Sequence, residues 1–97
     1  MISSVNTPSE KAKSSRWWVY LLRCSDGTFY IGMSTDVEKR LATHNAGKGA
    51  KYTRGRLPVA CVWREEVTSE SAARKREYAL KQLSRNEKLI LVQAKNA

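Results

Sequence analysis

The sequence predicts an α/β fold in a single compact domain, and three observations carry that reading. Within Trp17–Met33 (WWVYLLRCSDGTFYIGM) two aromatic and β-branched runs are joined by Ser25-Asp26-Gly27, the composition of strands around a turn. A third run of the same kind, VACVWREEV, spans Val59–Val67. Helix-start signals stand at Thr35, Ser69 and Ser84, each ahead of spaced apolar residues. Ninety-seven residues leave room for one core of modest size and not for a second.

The first fifteen residues, MISSVNTPSEKAKSS, are polar and without periodicity, and are expected to be a disordered lead-in to a domain over residues 16–95. The hairpin that follows has two possible registers. With Asp26-Gly27 as a two-residue turn, Tyr30 falls opposite Arg23 and the alternation of side chains puts Tyr20 and Tyr30 on opposite faces. With Ser25-Asp26-Gly27 as a three-residue loop, Gly27 takes positive φ, Tyr20 pairs with Gly32, and both phenols share a face. Gly32 itself marks a place where another group approaches closely.

Thr35-Asp36-Val37-Glu38 has capping-box spacing and begins a helix to about Asn45-Ala46-Gly47, with Val37 and Leu41 buried. Arg40 and His44 are four apart and project from one side of it. Asn45–Pro58, NAGKGAKYTRGRLP, holds three glycines, four basic residues and no acid, a loop composition. Its Lys48, Lys51, Arg54 and Arg56 can hold phosphates, and Tyr52 offers a face for a base. In the third strand, Glu65 and Glu66 point to opposite faces and read as structural.

Ser69 caps a helix to about Leu83, with Ala72, Ala73, Ala79, Leu80 and Leu83 as its buried stripe. Glu77 lies at the edge of that stripe, where local spacing pairs it with Lys81. Ser84-Arg85-Asn86-Glu87 is a further capping box and starts a last helix that docks through Leu89, Ile90 and Val92.

Eighteen Lys and Arg against nine Asp and Glu give a net charge of +9, which favours a polyanionic partner, nucleic acid before an anionic membrane surface. No stretch has the length of a membrane span and no signal-peptide core is present, so a cytoplasmic protein is expected. Cys24 and Cys61 lie in or beside strand runs and read as small buried hydrophobes. With one histidine, they do not make a zinc site of usual spacing.

Val19-Tyr20, followed ten residues later by Tyr30-Ile31-Gly32, resembles the two-part signature of the GIY-YIG nuclease superfamily. The first part departs from it, with Trp18 where the family's name spells glycine. The resemblance extends to Arg40 with His44, the tyrosine-containing basic loop, and Glu77 four residues after Ala73, and so covers Trp17 to about Val92. It points to the small stand-alone bacterial group of the superfamily.

What the resemblance implies is a three-stranded antiparallel sheet flanked by helices, and an endonuclease that hydrolyses DNA phosphodiester bonds with one Mg²⁺ or Mn²⁺. Glu77 would hold the metal, Arg40 the phosphate, and Tyr30 and His44 would orient the water or Tyr20. Tyr20 is the candidate general base. A phenol near pKa ~10 needs a cationic field to serve at neutral pH, which Arg40, Lys51 and the metal would supply. The shared site requires the three-residue hairpin loop, with Arg40 and Glu77 facing the two tyrosines. Trp17, Trp18, Tyr52 and Trp63 as stacking faces, on a chain with no second domain to grip a duplex, lean the substrate toward single-stranded or branched DNA; core packing is the expectation for Trp63. The alternative is a non-catalytic nucleic-acid-binding module on the same scaffold, which would bind without Mg²⁺ and never cut.

Overall fold

A computed structural model describes residues 16–96; the expected lead-in over residues 1–15 lies outside them. In chain order the elements are β1 (Trp17–Arg23), β2 (Phe29–Ser34), α1 (Val37–Asn45), α2 (Lys51–Arg54), β3 (Ala60–Val67), α3 (Glu70–Lys81) and α4 (Arg85–Asn96). The strands form one antiparallel sheet in the order β2-β1-β3. This is the three-stranded sheet with flanking helices that the sequence predicts.

The hairpin adopts the three-residue loop. Cys24 N–H donates to Thr28 O at 2.8 Å, Gly27 N–H donates to Cys24 O at 2.9 Å, and Gly27 has φ of 85°. Tyr20 therefore lies opposite Gly32 and Leu22 opposite Tyr30. On the other side of β1 the register slips at Leu21/Leu22, which leaves Val62 as a bulge. Trp63 thus opposes Leu21 and Cys61 opposes Leu22.

The alternation of β1 feeds two cores. Val19, Leu21, Ile31 and Trp63 pack with Ala73 and Leu80 of α3, while Tyr20, Leu22 and Cys24 pack on the other face with Val37 of α1 and Val59. Burying one such large aliphatic side chain contributes roughly 1.5–3 kcal/mol. Cys24 is buried as expected, whereas Cys61 is only half-buried, and burial raises its thiol.

Three local expectations change. Asp36, not Thr35, caps α1: its Oδ1 accepts from Lys39 N–H at 3.0 Å, while Ser34 Oγ accepts from Asp36 N–H at 2.9 Å. The stripe of α3 is narrower than predicted, Ala79 being exposed. In α4, Leu91 and Val92 reach the core and Ile90 stands 63% exposed. The predicted caps at Ser69 and Ser84 form, the latter reciprocally: Ser84 Oγ accepts from Glu87 N–H and Glu87 Oε1 from Ser84 N–H. Glu65 and Glu66 pair separately, with Arg76 and Arg16.

Candidate active site

The hairpin register decides the site, because it brings Tyr20 and Tyr30 from neighbouring strands to one face. The Tyr20 ring lies across Gly32. A β-carbon on Gly32 would fall 2.6 Å from Tyr20 Cζ and nearer still to its oxygen, so only glycine leaves the phenol its place.

α1 crosses this face and supplies Arg40 and His44. His44 is fully buried, with Nε2 3.3 Å from the Tyr20 oxygen and Nδ1 2.9 Å from Thr53 Oγ1. Thr53, also fully buried, donates its hydroxyl to Ala50 O at 2.9 Å. The Tyr30 ring meets His44 edge-on at 5.3 Å between centroids and stacks on Tyr52 at 6.0 Å. Gly49 passes so near the histidine that a β-carbon there would lie 2.8 Å from His44 Cγ.

Burial pushes the Tyr20 phenol above its ordinary 10.0; Tyr30 and Glu77 push the same way, and the adjacent Arg40 pulls against them without prevailing. This reverses the expectation that neighbouring cations lower it: removing the phenol from water outweighs the one guanidinium beside it. Burial, followed by the Arg40 charge, holds His44 below 6.5. The imidazole is therefore neutral at pH 7.

Glu77 stands on α3. Its helix packs through Ala73 and Leu80 on the face opposite the tyrosines. The Glu77 charge is felt at Tyr20, while its Oε2 lies 3.5 Å from Lys81 Nζ and its side chain keeps 23% exposure.

Among the described residues no three His, Cys, Asp or Glu side chains gather as a metal cage. A cation at Glu77 would thus have one protein carboxylate, with water and phosphate oxygens completing its shell. That all-oxygen donor set fits Mg²⁺ or Mn²⁺ and not a structural zinc.

The basic segment is not all loop, since Lys51–Arg54 forms one helical turn. Its inward residue is Thr53; Lys48, Lys51, Tyr52 and Arg54 are exposed. Arg56 is committed internally: its Nε lies 3.0 Å from Asp26 Oδ2, it donates to Tyr52 O at 2.7 Å, and its guanidinium sits 4.0 Å from the Tyr52 ring centroid. Asn45 fastens the far end, donating to Val59 O at 3.0 Å and accepting from Val59 N–H at 2.8 Å.

Of the four predicted stacking aromatics, Trp63 is core and Trp17 packs against the same cluster. Trp18 carries the Arg64 guanidinium 5.2 Å from its ring. Tyr52, 39% exposed, also carries a guanidinium, that of Arg56, and stands beside a groove of about 220 Å³ lined by Phe29, Tyr30, Tyr52, Lys81 and Lys88. Thr53 and Gly49 lie against His44, and Asn45 ties the segment to Val59, without being marked by the sequence pattern, because a threonine or glycine in a basic loop carries no periodic signal.

Comparison with known proteins finds the GIY-YIG catalytic domain matching residues 16–89. A UPF0213 protein of Halobacterium salinarum is 59% identical over 73 residues, 75% of this chain and 95% of that one. One of Staphylococcus haemolyticus is 48% identical over 79 residues, 81% and 96% of the two chains. The solution structure of a UPF0213 protein from Bacillus halodurans aligns at 46% identity and TM-score 0.54, covering 82% of this chain and 85% of that one. A protein of E. faecalis aligns at 40% identity and TM-score 0.57, over 84% and 86%.

Proposed function

Because the chain belongs to the GIY-YIG catalytic-domain family, a nuclease family, we propose that it is a divalent-metal-dependent endonuclease hydrolysing DNA phosphodiester bonds, with single-stranded or branched DNA ahead of duplex. The observation that carries this reading is the hydrogen bond between two buried groups, Tyr20 and the neutral His44. A phenol held above its ordinary pKa is not a resting phenolate. It serves as a base by passing on its own proton as it takes another.

In that step the attacking water loses a proton to the Tyr20 oxygen, and the Tyr20 proton moves to His44 Nε2, leaving an imidazolium. The water oxygen bonds to phosphorus while the bond to the leaving oxygen breaks, and the leaving oxygen takes a proton from solvent. Arg40, beside the phenol, holds a non-bridging phosphate oxygen. Tyr30 packs on the imidazole and keeps its ring in place. Glu77 would hold Mg²⁺ or Mn²⁺, and the ion, when bound, neutralises charge on the scissile phosphate. Lys48, Lys51 and Arg54 offer exposed cations to the strand, Arg56 stiffens the Tyr52 platform, and Tyr30 and Tyr52 border a groove of about 220 Å³.

The test is incubation with matched single-stranded, duplex and branched DNA and with RNA, with and without Mg²⁺. Cutting of DNA only when the ion is present, lost in Glu77→Gln, supports the enzyme. Retention of Lys81 on Glu77 favours the other reading, a binding module; binding without Mg²⁺ and cutting of nothing would establish it.

A further inference from the structure

The protons around His44 can be counted. Thr53 Oγ1 has one proton and lies near two groups, Ala50 O at 2.9 Å and His44 Nδ1 at 2.9 Å. A carbonyl oxygen only accepts, so its bond to Thr53 needs the hydroxyl proton. The same hydroxyl then has only lone pairs to offer Nδ1, and Nδ1 must carry a hydrogen. At the other side of the ring, Tyr20 has Arg40 beside its oxygen, and a guanidinium has five N–H donors and no acceptor. The Tyr20 proton therefore has His44 Nε2, at 3.3 Å, to accept it.

Reversing the chain fails on the same count. If Thr53 donated to Nδ1, Nε2 would carry the hydrogen and point it at the Tyr20 oxygen. Ala50 O would be left with the Thr53 N–H alone, at 3.1 Å, and, decisively, the buried Tyr20 proton would face a second donor instead of an acceptor, an arrangement that buried polar groups avoid. Every donor finds an acceptor in one direction alone, from Tyr20 through His44 and Thr53 to Ala50.

We infer that Thr53 is a positioning residue whose hydroxyl, anchored on Ala50 O, fixes His44 in the Nδ1–H tautomer and so keeps Nε2 free to receive the Tyr20 proton. The one-turn helix Lys51–Arg54 serves this purpose: it turns Thr53 inward while Lys51 and Arg54 remain outside. Gly49 lets the chain cross close to the ring. The tautomer follows from the geometry alone; the kinetic consequence rests on the nuclease reading.

The chain contains one histidine, so a two-bond proton–nitrogen correlation spectrum of the nitrogen-labelled protein reports on His44 without ambiguity. The wild type at a pH where the ring is neutral is expected to show the Nδ1–H pattern. Thr53→Val keeps the shape and removes the acceptor, and should shift the ring to a mixture or to Nε2–H; Thr53→Ser should restore the wild-type pattern. On a cleavable substrate Thr53→Val should lower kcat roughly 10²-fold, the lower end of what a positioned acid or base contributes, with KM little changed and Thr53→Ser close to wild type. An Nε2–H pattern in the wild type overturns the inference whether or not the valine variant folds, and so does a Thr53→Val spectrum identical to the wild type. If the tautomer behaves as described and no substrate is cut, the positioning role stands and the nuclease reading fails.

Discussion

His44 is enclosed on every side and sits near the Arg40 charge, so its folded-state pKa lies below the unfolded 6.5. Above about pH 6.5 the ring is neutral in both states and the stability it confers is complete; as pH falls the unfolded chain takes up the proton first, and that stability drains away until the folded pKa is passed. The fall in urea midpoint between about pH 7 and about pH 5 should be larger for wild type than for His44→Gln; equal falls would place the titration elsewhere. On the nuclease reading kcat/KM has an acidic limb below 6.5, since a protonated ring cannot accept the Tyr20 proton. On the same reading Glu77→Gln makes a separate demand: cleavage should be lost while DNA affinity stays equal or rises, because the proposed metal anchor and a negative charge leave a basic surface together. Weaker DNA binding with cutting intact would remove Glu77 from the metal. These side chains were legible in the sequence as types at a spacing. The sign of the Tyr20 shift was not, because it depends on how much water the fold removes, and Thr53 was not, because its partner is nine residues away across a loop.

The β1–β2 hairpin illustrates what local pattern can and cannot decide. Alternating aromatic and β-branched residues identify the strands, yet the same residues accept a two- or three-residue loop, and one residue of slip moves a phenol to the other face. The requirement that Tyr20 and Tyr30 share a site selected the loop that forms, with Gly27 at φ of 85°. Gly32 is the other fixed point. Gly32→Ala is expected to displace the Tyr20 ring, at a cost of about 1–3 kcal/mol for an overpacked site, and, on the nuclease reading, to abolish cleavage. The His44 nitrogen signals should shift as the phenol leaves; unchanged signals with full activity would show that the ring has room the structure denies it. Helix ends were less readable. Thr35 and Asp36 are both good caps, and Asp36 prevails because Ser34 Oγ is there to receive its N–H. Ile90 fits a buried pattern, but α4 docks through Leu91 and Val92. The turn Lys51–Arg54 was hidden by glycines and charges that read as loop.

A surplus of +9 charges on 97 residues announces a polyanion without locating it, since the cations are spread along the sequence. The fold sorts them. Arg16, Arg64, Arg74 and Arg76 are paired with carboxylates, and Arg56 is tied to Asp26. Lys48, Lys51 and Arg54 stand exposed on the segment that carries Tyr52 and borders His44, and Lys88 lines the groove on its other side together with Lys81, itself paired with Glu77. Strand binding should therefore be salt-dependent, and the dependence should be divisible by residue. Each phosphate contact removed lowers the slope of log affinity against log salt by roughly 0.7 for a single strand or 0.9 for a duplex. Lys51→Ala and Arg54→Ala should each remove one such increment and together about two, with unfolding midpoints unchanged, because neither side chain is buried and neither is ion-paired among the described residues. Arg56→Ala should do the opposite. It unties Asp26 and the Tyr52 backbone and bares the Tyr52 ring, so its effect belongs in stability and in the precision of cleavage, with the slope nearly unaltered. Measured by fluorescence anisotropy across a salt series, a full increment lost in Arg56→Ala and none in Lys51→Ala would mean that the bound strand rearranges this segment, and the phosphate track would have to be redrawn through Asp26.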